Sequence, residues 1–175
     1  MRKNGGFTLL DLILVILIIG VLGVVIVPQY FSLTDQAKLD EGAAELVSAL
    51  QYAGNLAVQH QRPFGVRASV TDNSFSVFDT APKPNTVPPA QPNNLPPVDA
   101  DGIVLNPLDK TWYSKSFNTL QSFQGVKIAA VPAGGEVRFY PDGHSGATDS
   151  LFTVSYAARQ KTIAVNGTTG QITVQ

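Results

Sequence analysis

The chain has 175 residues, which leaves room for one folded domain beside its apolar N-terminal stretch. It carries 12 Lys and Arg residues against 13 Asp and Glu residues and has no cysteine, so a disulfide framework, thiol chemistry and a cysteine metal site are excluded. The nearly neutral charge gives no indication of a nucleic-acid-binding surface or of a surface for anionic membranes.

The first element is an unbroken apolar run over residues 12–27, preceded by the stretch GFTLLD. As a helix from Phe7, the segment is about 21 residues long and rises about 30 Å, the thickness of the hydrocarbon core of a bilayer. Asp11 lies about one turn inside it, where a carboxylate costs roughly 2.5–3.5 kcal/mol and therefore indicates a specific partner. The simplest partner is a free α-amino group, which would exist at Phe7 only if the chain were cut after Gly6.

Two ordinary interpretations compete with a processed anchor. A secretory signal peptide has a basic start, which Arg2 and Lys3 supply. Its apolar core, however, is only about 7–15 residues long and ends at a small-residue cleavage site, whereas the apolar run here is longer and is followed by no such site. A plain single-pass anchor explains the length of the segment but leaves Asp11 unexplained. Basic residues precede the span, whereas four acidic residues and only one lysine follow it closely: Asp35, Asp40, Glu41 and Glu45 against Lys38. This distribution predicts that the N-terminus is cytoplasmic and that the rest of the chain is exported.

The stretch GFTLLD with its apolar tail resembles the class III leader of type IV pilins and type II secretion pseudopilins. In that family a prepilin peptidase cuts after the glycine, here Gly6, and methylates the new N-terminus, here Phe7. The acidic residue four positions further on, here Asp11, pairs with the N-terminus of a neighbouring subunit, and the family usually has glutamate there. Gly20 and Pro28 fall where the family has a helix-loosening glycine and a proline, and a proline bends a helix because it cannot donate to the carbonyl four residues earlier.

Residues 29–61 are predicted to continue the helix with a thin apolar face that must lie on another layer. The residues of this face recur at spacings near three and four: Ala37, Ala43, Val47, Leu50, Ala53 and Ala57. After Arg62-Pro63 the period changes to two, which is typical of strands. The predicted strands are residues 65–70, 74–79, 103–105, 111–117, 125–131, 136–140, 152–158, 162–165 and 171–174.

Turn residues predict how the strands are connected. Asp72-Asn73 predicts a hairpin turn, Asn166-Gly167 a tight turn between the last two strands, and Arg159-Gln160-Lys161 the turn before them. Residues 81–98 contain seven prolines without a regular period and predict an extended surface loop, with a polyproline ligand as the alternative.

The predicted fold class is α+β, with one long N-terminal helix packed on antiparallel sheet. The predicted organisation is a leader peptide at residues 1–6, a transmembrane helix at 7–29, its amphipathic continuation at 30–62, and a β-rich globular domain at 63–175.

A second resemblance concerns the C-terminal half. Residues 137–143, VRFYPDG, and residues 168–172, TTGQI, are similar to the Pro-Asp-Gly turn and the late Thr-Gly hairpin of the GspH/FimT group. Members of that group are minor subunits of secretion pseudopili and pili, in which a pilin helix packs on two β-sheets. The resemblance therefore implies two sheets here.

Some residues favour catalysis or metal binding at first sight. His144 stands beside Ser145, but the sequence DGHSGA lacks the last glycine of a nucleophile elbow and lies between strands, so a turn is the better interpretation. Asp99, Asp101 and Asp109 leave a loose calcium site open, although an EF-hand is excluded because its twelfth position would be a lysine. The two histidines of the chain have no paired spacing that indicates a transition-metal site.

DNA binding is a further alternative, because some FimT-type minor pilins bind DNA through arginines clustered in the C-terminal tail. Residues 166–175 contain no Lys or Arg here. Convergence of Lys127, Arg138, Arg159 and Lys161 on one face would give only weak, salt-sensitive binding.

The sequence therefore predicts a non-enzymatic structural subunit without cofactor or metal, matured by prepilin peptidase and anchored in the bacterial inner membrane with its C-terminal domain in the periplasm. The predicted assembly is the pseudopilus of a type II secretion system, with a type IV pilus as the alternative. The resemblance implies three kinds of partner: the peptidase, other pilin or pseudopilin subunits, and an inner-membrane assembly platform.

Overall fold

The computed structural model describes residues 9–80, 96–119 and 123–175, and it describes the side chains of these residues except those of 23–32. The elements in chain order are α1 (Leu9–His60), β1 (Phe64–Ser69), β2 (Ser74–Asp79), β3 (Ser114–Ser116), β4 (Lys127–Ala130), a short 3-10 turn (Ala133–Gly135), β5 (Glu136–Phe139), β6 (Ser150–Tyr156), β7 (Arg159–Val165) and β8 (Ile172–Val174).

The chain divides into two units, residues 1–37 and residues 38–175. In the second unit, α1 packs its inner face on the strands. The buried residues of this face follow the helical period: Leu39, Ala43, Leu46, Ala49, Leu50, Ala53, Leu56 and Ala57. Small residues bring the helix close to the strands, and a Cβ added at Gly42 would lie 2.8 Å from Cγ1 of Val126.

The predicted apolar face is correct at Ala43, Leu50, Ala53 and Ala57, which are all buried. It is wrong at Ala37, which is exposed, and Val47 is only half-buried. Ala37 precedes the packed stretch of α1, in which the first buried residue is Leu39, and within that stretch the buried face also includes Leu46, Ala49 and Leu56.

Within residues 9–80, 96–119 and 123–175, eight strands form two antiparallel sheets. Sheet I has the order β3-β2-β1-β5, and sheet II has the order β4-β6-β7-β8. The hairpin predicted at Asp72-Asn73 is confirmed, because β1 and β2 pair with Ser69 opposite Ser74. The α+β class is confirmed as well, and the two sheets agree with the GspH/FimT resemblance.

Phenylalanines from both sheets fill the space under the helix. Phe64 and Phe75 of sheet I, Phe152 of sheet II and Phe117, which follows β3, are all fully buried. Each such ring contributes about 1.5–3 kcal/mol through removal of its surface from water. The apolar contacts of α1, sheet I and sheet II thus form one continuous core.

The turn predicted at Arg159-Gln160-Lys161 is wrong. All three residues belong to β7, and Arg159 pairs with Tyr156 across a two-residue turn at Ala157-Ala158. Ala157 adopts a φ of 52°, which is a left-handed conformation. Glycine or asparagine normally occupies such a position, so an alanine there does not predict a turn.

The strands predicted between residues 103 and 117 are also corrected. Residues 103–105 make only isolated bridges, in which Ile103 lies opposite Phe78 and Leu105 lies opposite Trp112. Strand β3 is confined to Ser114–Ser116, so the aromatic residues that suggested a longer strand precede it. Of the proline-rich stretch, residues 81–95 lie outside the described part of the chain.

Buried polar side chains also connect segments of the second unit. The guanidinium of Arg62, just after α1, lies 2.8 Å from the carboxylate of Asp79 at the end of β2, and the Asp79 side chain is only 3 % exposed. The side chain of Asn73, in the β1–β2 turn, donates to the carbonyl of Val126 at 2.8 Å and accepts from the N–H of Ile128 at 2.8 Å. Asn73 therefore joins the turn of sheet I to β4 of sheet II.

Candidate assembly surface

Residues 9–22 of α1 present mainly apolar side chains around the helix. Every residue from 9 to 22 is exposed, and Leu9 reaches 76 % exposure. Asp11 lies in the first turn of α1 and is exposed as well. A helix that is apolar around its whole circumference normally requires a lipid or protein environment.

The structure describes some of the predicted site residues. Gly6 and Phe7 lie outside the described residues, so their predicted roles remain predictions. Gly20 lies on an open surface, because a Cβ added there would meet nothing within 4 Å. The helix runs through Pro28 without interruption, and the side chain of Pro28 belongs to the stretch that the structure does not describe.

Within the described residues, we find no helical stretch that combines the length and the hydropathy needed to cross a membrane.

Beyond Lys38, polar side chains attach the rim of α1 to both sheets. The carboxylate of Asp40 lies 2.7 Å from Nζ of Lys161 in β7. Glu45 forms an ion pair with Lys115 of β3. Ion pairs near the surface contribute only about 0–1 kcal/mol each to stability. These two contacts therefore orient the helix on the sheets more than they stabilise the fold.

A pair of tyrosines lies beside this rim. The rings of Tyr52 on α1 and Tyr113 before β3 stack with their centroids 5.4 Å apart. Burial raises the pKa of Tyr52. Burial, and after it the negative charge of Glu45, raises the pKa of Tyr113 to about 12.

We expect Tyr113 to ionise only near pH 12 in the folded protein. A tyrosine with a pKa of about 12 in the fold and 10.0 in the unfolded chain stabilises the fold fully below pH 10, and this contribution is lost as the pH rises toward 12. Absorbance of tyrosinate during alkaline titration measures the ionisation directly. Tyr113→Phe should remove the component near pH 12, and an unchanged titration curve in that variant would contradict the assignment.

The two motifs of the C-terminal half contact each other. The Pro-Asp-Gly turn closes with a hydrogen bond from the N–H of Gly143 to the carbonyl of Tyr140 at 2.9 Å. Gly170 of the Thr-Gly hairpin packs so tightly on this turn that an added Cβ would lie 2.1 Å from the carbonyl oxygen of Gly143. Both glycines also have positive φ, 92° and 65°, which other residues rarely adopt.

Ser145 and His144 make separate contacts. The hydroxyl of Ser145 is buried and donates to the carbonyl of Asn166 at 3.1 Å, and its N–H donates to the carbonyl of Gly167. The imidazole of His144 stacks on Tyr140 and contacts the carboxylate of Asp142 through Nδ1. The hydrogen bond from His144 lowers the pKa of Asp142. Through its two hydrogen bonds to the carbonyls of Asn166 and Gly167, Ser145 holds the Thr-Gly hairpin against the Pro-Asp-Gly turn.

The carboxylates considered for calcium close local turns. Oδ1 of Asp99 accepts from the N–H groups of Asp101 and Ile103. Oδ1 of Asp109 accepts from the N–H and the hydroxyl of Thr111, and these two hydrogen bonds lower the pKa of Asp109. In the part of the chain that the structure describes, no three His, Cys, Asp or Glu residues come together as a metal site would require.

The basic residues considered for DNA lie in two different sheets. Arg138 belongs to β5 of sheet I and pairs with Glu136. Lys127, Arg159 and Lys161 belong to sheet II, where Lys161 is engaged with the helix. The structure does not bring the four cations onto one sheet.

Comparison with known families gives the relationship of the chain. The family model described as "Type II transport protein GspH" matches residues 42–169. The chain belongs to the GspH family. The match begins at Gly42, where α1 approaches the sheets, and ends at Thr169, so it contains the Pro-Asp-Gly turn and the first two residues of the Thr-Gly hairpin and excludes residues 1–41.

Individual relatives agree with the GspH assignment. Two fimbrial proteins of Pseudomonas aeruginosa are 31 % identical over 77 residues, which are 44 % of this chain and 49 % of each relative. The chain thus spans about half the length of the curated relatives it matches. This GspH-family chain is a member of the type IV pilin and pseudopilin superfamily.

A solved minor-pilin structure shares the fold. The type IV minor pilin FimU of Pseudomonas aeruginosa superposes with a TM-score of 0.52 at 17 % identity, covering 82 % of this chain and 92 % of FimU. The minor pseudopilin EpsH from the type 2 secretion system of Vibrio cholerae gives a TM-score of 0.49 at 12 % identity, covering 79 % of this chain and 96 % of EpsH. The similarity to FimU supports the pilin-like fold of this GspH-family chain.

Proposed function

We propose that the chain is a structural minor pseudopilin of a type II secretion system. The observation that carries the proposal is the match of residues 42–169 to the GspH family, a region in which residues of α1, sheet I and sheet II share one core. The residues that the sequence suggested for catalysis or calcium binding, Ser145, Asp99 and Asp109, form hydrogen bonds that close turns or hold a hairpin. These contacts support a structural role. Prepilin peptidase, other subunits and an inner-membrane assembly platform are the proposed partners.

The N-terminal helix supplies the proposed anchor and assembly element. Its apolar side chains from residue 9 to residue 22 suit the hydrocarbon core of the inner membrane before assembly and a bundle of similar helices afterwards. Helices in such a bundle gain little from the hydrophobic effect, so packing and polar contacts must hold them together. Asp11, paired with the free amino group of Phe7 on a neighbouring subunit, would provide such a contact and set the axial register. The unit from Lys38 onward would lie in the periplasm.

A minor pilin of a type IV pilus is the second candidate, favoured by the similarity of the fold to the minor pilin FimU. Deletion of the gene in the native host, followed by complementation, separates the two. Loss of secreted enzymes from the medium with intact surface pili supports the pseudopilus. Loss of pili with normal secretion would overturn the first proposal in favour of the second.

Gly6→Ala is expected to slow removal of the leader by about tenfold or more, because one extra methyl group in a tight specificity pocket has an effect of this size. Mass spectrometry of the N-terminus, with the chain isolated from its host, measures the fraction that still begins at Met1. Gly5→Ala is the matched control, since it places the same methyl group one residue before the proposed cleavage position. A functional wild-type chain that retains Met1 would contradict the processing proposal altogether.

A further inference from the structure

Strand β8 leaves one edge of sheet II open. Among the described residues, β8 has β7 on one side and no strand on the other. Thr162 and Gln175 exchange two backbone hydrogen bonds at 2.9 Å, so these residues form a hydrogen-bonded pair of the antiparallel ladder. Because the pattern alternates, the N–H and C=O groups of Ile172 and Val174 point away from β7. They are available to another strand.

This edge lacks the protection that proteins usually give to exposed strands. Natural edge strands carry lysines, other charges or prolines that discourage pairing with a second chain. Residues 166–175 contain no Lys, Arg, Asp, Glu or Pro. Val174 is 46 % exposed at the open edge. An uncharged edge favours pairing with an equally uncharged strand.

A groove of about 370 Å³ lies between this edge, the Pro-Asp-Gly turn and α1. Its lining alternates apolar and uncharged polar side chains: Leu50, Gln51, Gly54, Asn55, Val58, Phe139, Tyr140, Gly143, Gly170 and Ile172. Gly54 contributes no side chain, and Val58 is 50 % exposed at the rim. The groove therefore offers space for side chains on one face of a strand that pairs with β8.

We propose that the β8 edge accepts an extended, uncharged segment of a neighbouring filament subunit as a fifth strand of sheet II. Backbone hydrogen bonds to Ile172 and Val174 align the segment, and alternate side chains enter the groove. The inference rests on the proposed function, because it requires a filament neighbour.

The occupant is a subunit already held nearby and not a free second copy. β8 spans only Ile172–Val174, so a symmetric pair of β8 edges would bury far less than the roughly 1,200 Å² that a stable complex requires. In a filament, helix packing holds the subunits together, and the high effective concentration makes a short strand pairing sufficient.

Val174→Pro tests the backbone contact in the full-length chain in its native host. Proline removes the N–H that points away from β7 and keeps the extended backbone, so the fold should melt at the wild-type temperature while filament incorporation falls about fivefold to tenfold. Val174→Thr is the matched control, because it keeps the N–H and the strand preference and should incorporate normally. Normal incorporation of Val174→Pro, or an equal loss in Val174→Thr, would overturn the proposal.

Photo-crosslinking identifies the occupant. A benzoyl-phenylalanine at position 174 should crosslink to an extended segment of another filament subunit, and one at Leu14 should crosslink to the helices of neighbours. Crosslinks from Leu14 alone would refute the strand pairing and leave the proposed function intact. Crosslinks from position 174 only to a second copy outside filaments would refute the chosen occupant. Absence of crosslinks from both positions would refute the proposed function and the strand pairing with it.

Discussion

Asp11→Ala is expected to leave leader removal and membrane insertion intact and to lower incorporation into filaments by about a hundredfold. The proposed contact joins the carboxylate of Asp11 to the N-terminal amino group of a neighbour inside an apolar bundle. Removing one partner of such a charge pair costs about 3 kcal/mol or more, because the other charge stays buried without compensation. Quantitative immunoblotting of filaments sheared from the cells, set against the processed chain that remains in the membrane, measures the effect.

The effect of Asp11→Ala on membrane insertion is expected to be opposite to its effect on assembly, so the two can be told apart. Alanine in place of Asp11 removes a carboxylate that costs roughly 2.5–3.5 kcal/mol in lipid, so the variant should insert at least as well as the wild type. A loss of incorporation then reports on assembly. Asp11→Glu keeps the charge and should assemble, while Asp35→Ala removes an acid from the same helix beyond the apolar stretch and should have no effect. Wild-type levels of Asp11→Ala in sheared filaments would rule out the charge pair.

Local patterns in the sequence were sufficient for the elements with a strong period. The helical spacing of Ala43, Leu50 and Ala53 correctly predicted the face of α1 that packs on the sheets. Strand β2 has the predicted bounds, Ser74–Asp79, because Phe75 and Val77 alternate with serines between turn residues.

Other features depend on tertiary contacts that no local pattern encodes. The β6–β7 turn uses Ala157 at positive φ, although nearby Arg159 and Lys161 gave the stronger turn signal. Trp112 and Tyr113 suggested a strand through their β preference, but Tyr113 instead stacks on Tyr52 of the helix. Such positions are decided by the partner that each side chain finds in the fold.

The candidate assembly surface was predictable only in part. Motif residues such as Gly143 and Gly170 were recognisable in the sequence, but their contact across two hairpins required the structure. The open edge at Val174 follows from the order of the strands in sheet II, which periodicity cannot give. The role of Asn73 could not be predicted either, because the side chain of an asparagine in a turn ordinarily forms hydrogen bonds with its own nearby backbone.

Asn73→Ala is expected to lower the free energy of unfolding by about 3–5 kcal/mol, because two unfavourable effects combine. Asn73 is only 6 % exposed, and its amide donates to Asn118 and Val126 and accepts from the N–H of Ile128. Its loss leaves the carbonyl of Val126 and the N–H of Ile128 in β4 without this partner. Asn73 also has a φ of 50°, which asparagine tolerates better than alanine. Urea unfolding of the purified chain, followed by circular dichroism, measures the change.

Two variants separate the amide contacts from the backbone strain at this position. Asn73→Gly removes the same hydrogen bonds but adopts positive φ without strain, so it should lose about 1–2 kcal/mol less than Asn73→Ala. Asn118→Ala removes only the exposed one of the three partners and should cost about 1 kcal/mol or less. If Asn73→Gly were as stable as the wild type, the amide would not join the sheets energetically, and the association of sheet I with sheet II would rest on the shared phenylalanine core alone.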